Sequence, residues 1–324
     1  MSMRLEYQVP AAFALDLLIG DPRWLPHPVK LIGWCAGKLE APVRRAVPFA
    51  YVAGLAAWML IVGGAGGITW GVLWLAAWLH PVAYDVAAVL LLYTTFAARD
   101  LVDHSRNVLK ALRAGDLPEA RRRVSMIVGR DTGNLDEAGV TRAAVESVAE
   151  STVDGVTAPL FFAVVGGPVG AMAYKAVNTL DSMFGHKEER YSRFGWASAR
   201  LDDVANYIPA RVTAPLVALT AAVLGYRPVL ALRVLARDGR KHASPNAGLP
   251  EAAVAGALNV QLGGLNYYGG EPHQGALIGD PNEPLMREHI SRANALMLGT
   301  AVLALLVFVG ARVLVLAWAG EGAR

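Results

Sequence analysis

Residues 46–84, AVPFAYVAGLAAWMLIVGGAGGITWGVLWLAAWLHPVAY, contain no Asp, Glu, Lys or Arg. A helix rises about 1.5 Å per residue, so about 20 apolar residues cross the hydrocarbon core of a bilayer. This stretch is longer than one perpendicular span and carries Gly63, Gly64, Gly66 and Gly67 near its middle. It fits one long tilted helix or a tight pair. Trp58, Trp70, Trp74 and Trp78 suit interface or lipid contact. Composition agrees. Of 324 residues, 54% are hydrophobic and 18% charged, against roughly 45–50% and about 25% in soluble domains. The expectation is an all-α polytopic integral membrane protein.

Working outward, spans are expected at about 49–79, 82–98 and 295–318, the last with a lone Arg312 placed to snorkel. Three further apolar runs, 9–20, 156–177 and 204–225, are ambiguous. The first is interrupted by Asp16, and Gly20-Asp21-Pro22 is no cleavage site, so retention is expected rather than signal cleavage. The second contains Pro159, Gly166-Gly167-Pro168 and Lys175; the third contains Pro209, Arg211 and Pro215. Breakers and cations at membrane depth are tolerated where protein or a wet cavity surrounds them. Both runs are therefore expected to be re-entrant or buried helices rather than simple lipid-facing spans. The polar regions are 99–155 and 226–292, and residues 1–324 read as a single membrane-embedded domain.

Within those regions, Leu101–Ala114 and Leu117–Val128 read as amphipathic helices. Asn134 with Glu137 gives a capping-box pattern for a helix continuing to about Ser151. No period-two strand pattern is expected. Leu18–Pro22 and Leu277–Pro281 share the string LIGDP, which reads as two similar turns.

Several function classes are excluded. The net charge of +3 is spread over interleaved signs, without the basic stripe that nucleic acid wants. The single Cys35 rules out an internal disulfide and a Cys-cluster metal site. Walker A, Rossmann and nucleophile-elbow strings are missing, and the 7 histidines lack zincin spacing. No haem, flavin or zinc is expected.

Four polar constellations remain. Glu146, Glu150 and Asp154 follow at i, i+4 and i+8, one face of a continuous helix, with Arg142 before them. The bland alternative is a salt-bridged solvated face, but Asp154 stands directly before an apolar run. Carboxylates there suit Mg²⁺ shared with substrate phosphate oxygens. Lys175, Asn178 and Asp181 close the next apolar segment, where a metal–phosphate site competes with a snorkelling lysine. Residues 237–248 join a basic cluster to turn chemistry, and Gly263-Gly264 with Gly269-Gly270 reads as a glycine-rich loop able to approach an anion.

The strings resemble the adenosylcobinamide-phosphate synthase family of cobalamin biosynthesis. The resemblance is carried by Asp16–Lys30, Gly129–Thr132, Glu146–Glu150 with Asp154-Gly155, and Ala158–Phe162. It continues through Tyr174–Met183, Asp202–Arg211, Asp238–Gly248, Pro250–Ala252 and Leu262–Gly269. The ordered set covers some three-quarters of the chain, whereas no one string is specific. Ser151 departs from the expected Asn. The resemblance implies an ATP-dependent amide ligase that joins adenosylcobyric acid to aminopropanol or aminopropanol phosphate, with Mg²⁺. Within those motifs Glu150, Asp154, Asp181 and Asp203 are assigned to catalysis, and Glu150, Asp154 and Asp181 to Mg²⁺. Arg130, Asp131, Lys175, Asn178, Lys187, Arg190, Lys241 and Asn246 are assigned to substrate and phosphate. Expected partners are the corrinoid, the amine, ATP, membrane lipid and other membrane-bound cobalamin-assembly enzymes. ATP is cytoplasmic, so a multi-pass chain in the cell membrane is expected to gather its motifs into one site on the cytoplasmic face. The rivals are an Mg-dependent membrane transferase acting on a phosphate-bearing lipid and a corrinoid or anion permease.

Overall fold

The computed structural model describes residues 3–22, 27–186 and 188–321. Four of its helical stretches are long and apolar enough to cross a membrane: Ala50–Leu79, Pro81–Arg113, Glu137–Phe184 and Glu288–Ala319. The fold is that of an all-α polytopic membrane protein with a single β-hairpin among the described residues. The chain divides into two compact units. Unit 1 comprises Met1–Ala97, Ala158–Asn206 and Leu305–Arg324, and unit 2 comprises Ala98–Thr157 and Tyr207–Ala304.

In unit 1, α1 (Leu5–Ile19), α2 (Pro28–Ala46), α3 (Ala50–Leu79), α4 (Pro81–Tyr93), α8 (Ala158–Phe184) and α9 (Trp196–Ala205) pack together. The charge-free stretch is one helix, α3, of 30 residues, because isolated glycines weaken a helix by only about 1 kcal/mol each. It stops at His80, whose side chain accepts from the Val82 N–H while Pro81 opens α4. Ile32 and Ala36 of α2, Ala53 and Ala57 of α3, and Met172, Ala176 and Leu180 of α8 form the core. In α8 the backbone leaves helical geometry at Gly167, with φ 62° and ψ −156°, just before Pro168. Only glycine adopts that conformation without strain, so the expected break is a kink within one helix. Of the apolar window in Glu137–Phe184, 56% is buried, against 22% in Glu288–Ala319. Arg312 does not simply snorkel. It pairs with Glu6 at 2.6 Å and donates to the Val164 carbonyl at 2.9 Å, since a cation at that depth is cheaper when paired.

In unit 2, α5 (Ala98–Arg113), α6 (Leu117–Val124) and α7 (Glu137–Ser151) lead into a π-helical segment, Thr152–Thr157. α10 (Tyr207–Val223), α11 (Pro228–Asp238) and α12 (Gly248–Leu258) follow, then strands β1 (Gln261–Tyr268) and β2 (Glu271–Gly279). The last helix, α13 (Glu288–Glu321), gives its first half to unit 2 and its second to unit 1. α12 is the centre of unit 2 and packs on α7, α10, α11 and both strands.

Two sequence expectations are corrected here. α7 is capped by Asp136, whose carboxylate accepts from the Gly139 N–H at 2.7 Å, not by Asn134, because Glu137 is itself the first helical residue. Residues 261–279 form an antiparallel hairpin, not an irregular loop. Tyr268 pairs with Glu271 across Gly269-Gly270, both at positive φ, the geometry of a tight two-residue turn. A bulge between Gly263 and Leu265 breaks the alternation that would have marked the strand in sequence.

Candidate functional site

Each unit holds a polar cluster. In unit 2 it begins at Glu146 on α7, which is 4% exposed. Its carboxylate pairs with Arg130 at 2.5 Å and accepts from the Gly263 N–H at 2.7 Å, a donor turned toward it at the bulge. Arg142 donates to the carbonyls of Gly263 and Leu265 and to Asn266, while Arg130 donates to the same Asn266 oxygen at 2.7 Å. Asp131 holds the hairpin tip, its N–H donating to Tyr267 and its carboxylate accepting from the Gly270 N–H. Arg130 and Asp131 therefore fasten the hairpin to the cluster.

One turn beyond Glu146, the Glu150 side chain is exposed although residues 143–149 are all buried. Asp154 lies in the π-helical segment, whose i→i+5 bonding breaks the α-helical register that would stack it under Glu150. Opposite α7, α12 contributes Glu251, only 6% exposed. Burial, then the Glu150 and Glu146 carboxylates, push its acid well above the usual range, with Arg130 opposing. Glu251 escaped the sequence-based site set. Its signal was a lone ionisable residue in a helix that is otherwise apolar from Gly248 to Leu258.

Lys241 forms an ion pair with Asp238 at 2.6 Å, and Arg237 bridges Asp238 to Asp280. The Arg237 guanidinium holds the Asp238 carboxyl far below the usual carboxylate range; burial opposes this, and Lys241 and the Gly279 N–H reinforce it. Asn246 is buried and accepts from Arg211 at 3.2 Å. Both Lys241 and Asn246 thus have protein partners.

In unit 1 the cluster sits where α8 meets α9. Lys175, Asn178 and Asp181 recur along half-buried positions of α8. Asp202 of α9 is 7% exposed and accepts at 2.9 Å from Asn206, which in turn accepts from the Tyr174 hydroxyl at 2.8 Å. The other Asp202 oxygen, Oδ1, is buried without a hydrogen bond of normal geometry. Burial first, and Asp181 second, push the Asp202 acid up to about 7, against the Asn206 and Asn178 amides. Asp203 is raised by burial and sits 3.7 Å from Arg200. Gly185 passes so close to Asp181 that a Cβ there would lie 1.9 Å from the carboxylate oxygen. Arg190 is engaged with Glu40 at 3.0 Å, and Lys187 lies outside the described residues. Asp202, Asn206 and Tyr174 are additions to the sequence-derived set.

Glu150 and Asp154 belong to unit 2, and Asp181 and Asp203 to unit 1. Among the described residues no three His, Cys, Asp or Glu side chains come together as a ready-made metal site. Mg²⁺, however, is held by one or two carboxylates plus substrate phosphates and water. Asp181 and Asp202, with an unsatisfied buried oxygen between helices, fit that donor set.

The CobD/Cbib protein family matches residues 9–297. "Cobalamin biosynthesis protein CobD" of Geobacter metallireducens is 55% identical over 86% of this chain and 87% of its own. The protein of the same name from Leptospira interrogans is 44% identical over 94% and 97%. "Cobalamin biosynthesis protein CbiB" of Salmonella choleraesuis is 46% identical over 93% and 95%. No solved structure matches. With the family covering residues 9–297 and relatives aligned along nearly their whole lengths, the chain belongs to the CobD/Cbib protein family.

Proposed function

We propose that the protein is a cobalamin-biosynthesis enzyme of the cell membrane, an ATP-dependent amide ligase. It joins a propionate carboxyl of adenosylcobyric acid to aminopropanol or aminopropanol phosphate, giving adenosylcobinamide or its phosphate. Membership in a family whose relatives are named for cobalamin biosynthesis supports the pathway. The observation that carries the chemistry is the Asp202 carboxyl, buried against Asp181 with one oxygen unsatisfied, on the same cluster as Lys175 and Asn178. Such a group calls for a cation, and the cluster around it suits Mg²⁺–ATP.

In this reading the corrinoid carboxylate attacks the γ-phosphorus of ATP, ADP departs and an acyl phosphate forms. The amine nitrogen then attacks the acyl carbon. The new C–N bond replaces the C–O bond to phosphate, which leaves with the proton lost from nitrogen. Lys175 and Asn178 hold phosphate oxygens, and Asp181 and Asp202 hold the metal, with Asp203 beside them. Mg²⁺, when bound, neutralises charge on the transferring phosphoryl group. The chemistry faces the cytoplasm, where ATP is found, and neighbouring membrane-bound enzymes of cobalamin assembly are its partners.

An apolar cavity of about 400 Å³ in unit 1, lined by Leu31, Ile32, Leu60, Ile61, Ile68 and Met172 among others, favours one rival: a transferase with a lipid acceptor. Purified protein supplied with adenosylcobyric acid, ATP, Mg²⁺ and each amine distinguishes the readings. Amide product with ADP release is expected. Transfer to lipid without corrinoid amide would overturn the ligase.

A further inference from the structure

Two hydrogen bonds in series hold Asp202, and they run in one direction. The Tyr174 hydroxyl donates to Asn206 Oδ1 at 2.8 Å, and Asn206 Nδ2 donates to Asp202 Oδ2 at 2.9 Å. All three side chains are buried, which shields the series from competing water. Charge fixes its order. An ionised carboxylate only accepts, so the amide turns its nitrogen to Asp202 and its oxygen to the phenol, which must then donate. Each bond polarises the next, and both aim their donors toward the carboxylate. Oδ2 is thereby engaged, and Oδ1 is the oxygen left buried without a hydrogen bond of normal geometry.

The phenol is set in turn by the bend in α8. On a straight helix residues 162 and 174 would lie about 18 Å apart, yet the Phe162 and Tyr174 rings stack with centroids 4.9 Å apart and planes 12° apart. The break at Gly167-Pro168 brings them together, tightly enough that a Cβ on Gly170 would meet the Phe162 carbonyl oxygen at 2.8 Å. The arm before the break is anchored as well. The α-helical donor to the Val164 carbonyl would be the N–H of residue 168, which proline lacks, and Arg312 donates there at 2.9 Å instead. Stacking on an anchored arm keeps the Tyr174 hydroxyl on the Asn206 amide.

We propose that Tyr174 and Asn206 are positioning residues of the metal site, locking the Asp202 carboxylate so that Oδ1 is the atom presented to a divalent cation. This rests on reading Asp181 and Asp202 as the Mg²⁺ ligands. Mg²⁺ demands near-octahedral order from its oxygens, so a carboxylate that rotates freely binds it less well than one already turned. The role belongs to the hydroxyl and the amide, not to the bulk of either side chain.

The test is Mg²⁺ titration of thermal unfolding, with the full-length protein in detergent and no substrate present. Mg²⁺ should raise the wild-type Tm, and Asp202→Asn should lose that response. Tyr174→Phe keeps the stacked ring and removes the hydroxyl; its Mg²⁺ midpoint should rise about tenfold to a hundredfold, the usual worth of a group that orients a metal ligand from behind. In turnover the Mg²⁺ requirement should move by the same factor, while KM for adenosylcobyric acid keeps its wild-type value. Asn206→Leu, of similar volume without the amide, reads the same inference should Tyr174→Phe fail to fold. Ile61→Ala, in the core of the same unit, should lower the Tm yet leave the Mg²⁺ midpoint at the wild-type value. An unchanged midpoint in folded Tyr174→Phe or Asn206→Leu, or an equal shift in Ile61→Ala, would overturn the positioning role and leave the ligase reading intact. A wild-type Tm that ignores Mg²⁺ would remove the metal site and the positioning role with it. The expected midpoint shift without amide from any amine would uphold the positioning role and overturn the ligase reading alone.

Discussion

Replacing Asp202 with Asn should stabilise the metal-free protein at alkaline pH while removing activity. Asp202 is 7% exposed, with one carboxylate oxygen unsatisfied and Asp181 close by. Its acid is raised from 3.8 to about 7. At about 1.4 kcal/mol per pH unit, ionising it in the folded state costs about 4–5 kcal/mol. The folded state holds this proton more tightly than the unfolded chain does. The stabilisation is therefore fully present below the unfolded pKa of about 4 and is lost as pH rises through about 7. Thermal unfolding in detergent with EDTA should give a wild-type Tm that declines from pH 5 to pH 8. Asp202→Asn should lack that part of the slope and exceed wild type at pH 8 by several degrees. Mg²⁺ should recover the difference in wild type only. Parallel pH curves for the two proteins, or a less stable Asn variant at pH 8, would refute the reasoning.

Asp238→Asn should act in the opposite direction. Its buried carboxylate serves Arg237, Lys241 and the Gly279 N–H, so losing it should cost about 3–5 kcal/mol at neutral pH. Its depressed acid means this contribution disappears only as pH falls far below the usual carboxylate range, which acid titration of the Tm will read. Gly185→Ala would place a Cβ 1.9 Å from the Asp181 carboxylate oxygen and 2.7 Å from its backbone oxygen; the folded fraction should fall, and kcat per folded enzyme should drop at least about tenfold, as expected when a catalytic group is misplaced by about 1 Å. In sealed right-side-out cells, a Cys35→Ser, Ser192→Cys protein should resist an impermeant maleimide. Labelling of this exposed position from outside would contradict a cytoplasmic site.

Three of the four long apolar stretches were legible because apolar length alone sets them; the fourth, Glu137–Phe184, was obscured by its carboxylates and breakers. Residues 46–84 needed only the rise per residue, and α3 resolves their ambiguity as one helix. The break in α8 was equally plain from Gly166-Gly167-Pro168. Geometry that depends on local register was not. The Glu146–Glu150–Asp154 stack assumed α-helical spacing that the π-helical segment breaks, and nothing in Thr152–Thr157 announces it. The hairpin was hidden because its bulge and its glycines erase alternation. Asp203 was drawn from the motif and its neighbour Asp202 was not, yet both lie within α9 and only Asp202 is buried deeply. Lys175, Asn178 and Asp181 were readable as helical spacing, but their relation to Asp202 depends on how α8 and α9 pack, a tertiary fact.

The central claim is that ATP activates a corrinoid carboxylate for amide formation, and oxygen tracing tests it most directly. Adenosylcobyric acid labelled with ¹⁸O in the reacting carboxylate is turned over with ATP, Mg²⁺ and aminopropanol, and the inorganic phosphate is analysed by mass. The account predicts one ¹⁸O in phosphate for each amide formed, carried by the bridging oxygen of the acyl phosphate. Amide formed with unlabelled phosphate, or with the label in AMP, would contradict it.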